Sequence, residues 1–187
     1  ILDTQIETGT PYILYKDSCN KKSNQKNRGV LRCSNLCTEI LEYVSKDEIS
    51  VCNLASVSLS SCVMNDVFNY DQLEKTTRMF VRNLNKVIDH GFYPLEETRL
   101  SNFRNRPIGI GVQGLADVFM KLKVPFDGPE AAQLNKDIFE TMYYSALHES
   151  ILLAKKKGPY PAYHKTKWNL DDSPLAKGYI QPDLWDY

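Results

Sequence analysis

No stretch of this sequence stays apolar for the roughly 20 residues that a membrane helix needs. No bilayer span is therefore expected. An excess of charge is missing too, since 23 Lys and Arg balance 23 Asp and Glu. That removes the electrostatic footprint of a nucleic-acid binder and any acidic tail. Neither an initiator Met nor a basic-then-apolar leader opens the chain. No secretion signal is visible, and the start at Ile1 reads as the middle of something longer. The five cysteines, Cys19, Cys33, Cys37, Cys52 and Cys62, are an odd count. That argues against a secreted disulfide scaffold and for a reducing, cytoplasmic compartment. Cys33 and Cys37 are not spaced like common zinc pairs, and His90, His148 and His164 lie far from them. No metal site is expected. Internal repeats and low-complexity segments are absent as well.

What is present is the composition of an ordinary soluble globular domain, with 25% charged and 42% hydrophobic residues. The 187 residues allow one domain with a sizeable core. Residues 1–10 read as the tail of a helix, stopped by Gly9 and Pro11. Tyr12-Ile13-Leu14-Tyr15 has the β-formers of a short strand, and residues 18–29 read as a polar loop or loose helical turn. Ile49-Ser50-Val51-Cys52-Asn53-Leu54 reads as a second strand, continued in small and β-branched residues to Ser61. Asp71 with Glu74 is a capping-box pattern opening a helix. Its stripe is Leu73, Phe80, Leu84, Val87 and Ile88, and His90-Gly91 ends it. Next come a helix over 95–104, a strand over 108–110 and a helix over 115–123. Gly128-Pro129 opens a long helix with buried positions at Leu134, Ile138, Met142 and Ile151, widened by Phe139 and Leu147. Gly158-Pro159 stops it, and residues 174–177 form one short helical chance beyond.

Two stretches carry chemistry in their pattern. In Ser34-Asn35-Leu36-Cys37-Thr38-Glu39-Ile40 an extended chain places Asn35, Cys37 and Glu39 on one face. An amide, a sulfur radical or nucleophile and a general base would share that face. An ordinary strand with one polar side fits the same alternation. Gly109-Ile110-Gly111-Val112-Gln113-Gly114 matches the dinucleotide fingerprint between a strand and a helix. It would make the chain a nicotinamide-dependent oxidoreductase. However, the next extended stretch, Val124-Pro125-Phe126-Asp127, is too short for the second strand and its acidic end about 20 residues on. Tight strand-to-helix packing explains the glycines as well.

Five stretches taken together carry a resemblance. They are Leu2-Asp3-Thr4-Gln5-Ile6-Glu7-Thr8-Gly9-Thr10-Pro11; Cys33 with the stretch from Ser34 to Ile40; Val51-Cys52-Asn53-Leu54-Ala55-Ser56; Arg82-Asn83-Leu84-Asn85-Lys86-Val87-Ile88-Asp89; and Arg106-Pro107-Ile108-Gly109-Ile110-Gly111-Val112-Gln113-Gly114-Leu115-Ala116-Asp117. In order and spacing they resemble the large catalytic subunit of class I ribonucleotide reductase, of the eukaryotic type. The resemblance covers nearly the whole chain and fades after Tyr163, where residues 164–172 look like a lineage-specific insertion. It implies a central slice of a ten-stranded α/β barrel with long packing helices, the radical cysteine sitting on a loop inside the barrel.

The resemblance also implies roles. Cys37 would be the thiyl radical that removes the ribose 3′-hydrogen, an S–H bond being close in strength to a ribose C–H bond. Glu39 would take the 3′-hydroxyl proton. Asn35, with Ser34 and Glu39, would bind the substrate ribose. Cys52 would be half of a redox-active disulfide whose partner lies outside this chain, reset by an external dithiol such as thioredoxin or glutaredoxin. Cys19, Cys33 and Cys62 match no catalytic position. Ribonucleoside diphosphates would be reduced to DNA precursors. The radical would come from a small subunit with a di-iron centre and a tyrosyl radical. ATP and deoxynucleoside triphosphate effectors would bind missing N-terminal regions, and the large subunit would form a homodimer or higher oligomer. Nucleic acid, membrane and metal have no place in this chain on that view.

Overall fold

The computed structural model describes residues 1–163. In chain order the elements are α1 (Leu2–Thr8), α2 (Lys16–Lys22), β1 (Leu54–Ser58), a 3-10 turn (Leu59–Cys62), β2 (Val63–Met64), β3 (Val67–Phe68), α3 (Tyr70–His90), α4 (Glu96–Asn105), β4 (Gly109–Gln113), α5 (Leu115–Leu122) and α6 (Pro129–Lys157). They fall into two compact units. The first takes residues 1–52, 93–105 and 161–163; the second takes 53–92 and 106–160. The insertion read at 164–172 and the helix at 174–177 lie outside the described residues.

In the second unit β1 and β4 pair in parallel, from Leu54 against Gly109 to Ser58 against Gln113. Val57, Leu59, Cys62, Phe68, Leu73, Val118, Ile138 and Met142 form the core. β2 and β3 make a hairpin whose two loop residues, Asn65 and Asp66, have φ of 51° and 58°. Such paired positive angles match the twist of the flanking strands, and Asn and Asp tolerate them best after glycine. α3 packs along α6. Their polar contacts include Arg82 to Glu149 at 3.0 Å and Arg78 Nη1 to His148 Nδ1 at 2.8 Å.

The structure departs from the expected elements where a partner decides. The side chain of Asn69 caps α3 by accepting from Gln72 N at 2.9 Å, so the Asp71–Glu74 box is not the cap. The buried stripe of α3 is Leu73, Thr77, Val81, Leu84 and Ile88, while Val87 is exposed and Phe80 only partly buried. On α6, Ile138 and Met142 are buried, but Ile151 and Phe139 are exposed; Ser145 and Glu149 take interior places instead. Residues 12–15 and 49–53 form no strand among the described residues. A strand exists only through its ladder partner, and neither segment joins a sheet ladder among the described residues, although Asn53 O accepts from Gly109 N at 2.9 Å.

The first unit holds α1, α2 and α4 and otherwise irregular chain tied by side chains. Asn20 acts as a strand would. Its Oδ1 accepts from Leu31 N at 2.7 Å and its Nδ2 donates to Leu31 O at 3.1 Å. Gln25 Oε1 likewise accepts from Tyr43 N at 2.6 Å.

Candidate active site

The stretch from Ser34 to Ile40 lies in the first unit and is a turn, not a strand. Thr38 N donates to Asn35 O at 3.1 Å, and Thr38 takes φ 65°. Asn35 Oδ1 accepts from Ile40 N at 3.1 Å, while Ser34 Oγ donates to Ile40 O at 2.5 Å. The side chains of Ser34 and Asn35 thus close the loop on both polar groups of one residue. Short polar side chains compete with ladders for backbone groups in this way. It is why the expected alternation fails.

The turn sorts the predicted site residues. Ser34 and Asn35 are half-buried at its base, and Cys37 is exposed at its tip with Glu39 exposed just after. No side-chain hydrogen bond joins Cys37 to Asn35 or Glu39 among the described residues. The Cys52 thiol is pushed up from its ordinary value, first by what desolvation it has, then by the charges of Glu42 and Glu39. At neutral pH it is held as a thiol, a donor of hydrogen rather than a ready nucleophile. Glu42 has its own pKa raised to about 7 by burial. It can hold or release a proton near neutrality. All five cysteines are free thiols. The described residues contain no group of three or more His, Cys, Asp or Glu side chains able to hold a metal ion.

Sequence reasoning missed Glu42 and Glu48. Glu48 is 3% exposed. Its Oε1 accepts from the guanidinium groups of both Arg28 and Arg104, and its Oε2 accepts from Asn105 Nδ2 at 3.2 Å. Arg28 also lies over the Tyr43 ring, 5.7 Å from its centroid. A carboxylate this deep is tolerated because cations surround it. Its only sequence signal is its place in the charged turn Lys46-Asp47-Glu48.

The glycine fingerprint does not build a dinucleotide site. Gly109 and Gly111 lie within β4, whereas a phosphate-binding loop would need them in the turn after the strand. A Cβ at Gly109 would sit 2.7 Å from Leu54 Cδ2, so close strand packing accounts for that glycine. Gly114, at φ 74°, caps α5, and a Cβ there would meet Asp117 Oδ2 at 2.9 Å. A carboxylate stands where a pyrophosphate would bind. No parallel strand comes after α5 among the described residues.

The model of the ribonucleotide reductase barrel domain matches residues 1–187, the whole chain. The chain belongs to that family. Ribonucleoside-diphosphate reductase large subunits match it along its full length: 54% identity in Monkeypox virus over 23% of the relative, 54% in Trypanosoma brucei brucei over 21%, and 51% in Danio rerio over 23%. The chain therefore spans less than a quarter of these relatives. The family's description names a barrel. The described part of this member shows a mixed α/β structure with two parallel strands and no closed barrel. No helix of the described residues is long and apolar enough to cross a membrane.

Proposed function

We propose that this chain is the central part of the catalytic barrel of a ribonucleoside-diphosphate reductase large subunit, and that its turn at 34–40 works on the substrate ribose. Cys37, as a thiyl radical, takes the 3′-hydrogen and later returns it. Glu39 accepts the 3′-hydroxyl proton, and Ser34 and Asn35 hold the sugar. Cys52 and a thiol beyond this chain give up two electrons as the 2′-hydroxyl leaves as water, and the two sulfurs join as a disulfide. An external dithiol then restores them. A small subunit with a di-iron tyrosyl-radical centre supplies the radical. The rest of the ten-stranded barrel, the effector sites for ATP and deoxynucleoside triphosphates, and the contacts of a large-subunit homodimer or higher oligomer belong to other parts of the protein. The cytoplasm is the compartment that suits free thiols.

One observation supports this most. The model of the ribonucleotide reductase barrel domain matches the whole chain, and within it Cys37 and Cys52 are both exposed free thiols, as a radical sulfur and a reducing sulfur must be. The test is Cys37→Ser in the full-length subunit with its radical-bearing partner. Serine fits the space, but its O–H bond is too strong for reversible hydrogen exchange. Nucleotide reduction should be lost while nucleoside diphosphate binding, measured by calorimetry, stays within about two-fold, a few tenths of a kcal/mol. Normal turnover by the serine variant overturns the assignment.

A further inference from the structure

We propose that Glu48 is the positioning residue that holds the segment carrying Cys52, so that the reducing thiol meets its acidic neighbours in one fixed place. The inference rests on the reading of Cys52 as a redox thiol. It begins with the turn itself. Ser45 N donates to Glu48 O at 2.9 Å, and Ser45 Oγ accepts from the backbone N–H groups of Asp47 and Glu48, both at 3.2 Å. Ser45 and Glu48 thus form a closed unit, and the Glu48 side chain anchors it. Arg28 comes after α2, while Arg104 and Asn105 end α4, so separate stretches of chain converge on one carboxylate. Immediately after it, Ile49 N donates to Glu97 O at 3.2 Å. Cys52 comes three residues later, on chain that belongs to no helix or strand.

Between Glu48 and Cys52 the chain forms no helix or strand. The residue after Cys52 is held, with Asn53 Nδ2 donating to Pro107 O at 2.9 Å and Asn53 O accepting from Gly109 N at 2.9 Å, and ahead of Cys52 the turn is pinned through Glu48. The carboxylate touches no reacting group, so its effect on chemistry passes through the thiol. Three cationic or amide partners on one buried carboxylate exceed what a surface turn needs. A displacement of about 1 Å away from the chemistry can cost about 100-fold in rate.

The experiment uses the full-length subunit with its radical-bearing partner. Iodoacetamide labelling at neutral pH, read at each cysteine by mass spectrometry, reports the surroundings of the two sulfurs. Steady-state reduction with a small dithiol reports turnover. In Glu48→Gln the segment is released and Cys52 moves out of the field that holds its proton. Its labelling should quicken about 10-fold while that of Cys37 stays as it was, and kcat should fall about 10-fold with KM for the nucleotide unchanged. Glu48→Asp should recover part of both changes. Arg104→Gln leaves Arg28 in place and should give a smaller effect of the same kind, which covers the case of a Glu48→Gln variant that does not fold. Wild-type labelling of Cys52 in folded Glu48→Gln and Arg104→Gln variants overturns the proposal. So does an equal change at Cys37, which would mean general loosening. Cys52→Ser runs beside them. If it turns over normally, the redox role of Cys52 fails, while the labelling still judges Glu48.

Discussion

At Glu42 burial has moved a carboxyl to about 7 from its ordinary 4.5. A group raised in the folded state contributes stability that is full below about 4.5 and is lost as pH rises through about 7. The chain should therefore weaken between pH 5 and pH 8, and Glu42→Gln, which cannot ionise, should weaken less. Urea midpoints of both chains at the two pH values check this; equal falls would contradict it. In this region the amide, thiol and carboxylate pattern of Asn35, Cys37 and Glu39 fits an ordinary strand equally well, and their roles come from the family resemblance. Their placement was not legible in the sequence. Alternation predicts shared faces only for a paired strand, and here Ser34 and Asn35 spend their side chains on Ile40. The burial of Glu42 and Glu48 was equally hidden, since a carboxylate reads as solvated until its tertiary partners are known.

Among the elements, α3 carries a cost that its sequence does not advertise. Thr77 is fully buried on the helix stripe, and its hydroxyl has no hydrogen-bond partner among the described residues. It lines a cavity of about 330 Å³ with Ile108, Ile110, Met142, Tyr143 and Leu147. Valine keeps the shape and removes the unpaired group, so Thr77→Val should stabilise the chain by about 1 kcal/mol. Chemical denaturation measures it, and a loss of that size would reveal an unseen partner for the hydroxyl. The existence of α3 to α6 was readable because glycine, proline and periodicity punctuate them. The extended segments were misread for a physical reason. Residues 12–15 have β-forming side chains, but propensity cannot supply a neighbouring edge.

At the scale of the whole molecule, much apolar surface is uncovered. Tyr12, Ile13, Leu14 and Tyr15 are all exposed, as are Leu36, Phe92 and Phe126. The parallel sheet has two strands, so β1 and β4 each keep a free edge among the described residues. Such edges and patches favour self-association. Light scattering on the 187-residue chain should show mass rising with concentration, and a dispersed monomer across the micromolar range would contradict this. Mixed α/β character was foreseeable from the alternation of strand and helix signals, whereas division into two units was not. The first unit is tied by Asn20, Gln25 and Glu48, whose reach the sequence does not encode locally. The pairing of Leu54 with Gly109 also sets the order of events in time. α3 and α4 lie between the two strands in sequence, so the ladder must wait for a long loop to close, while helical turns form within their own stretches. The sheet is thus the slow, late step of folding, and any factor that delays it lengthens the interval in which β1 and β4 stand open to other chains.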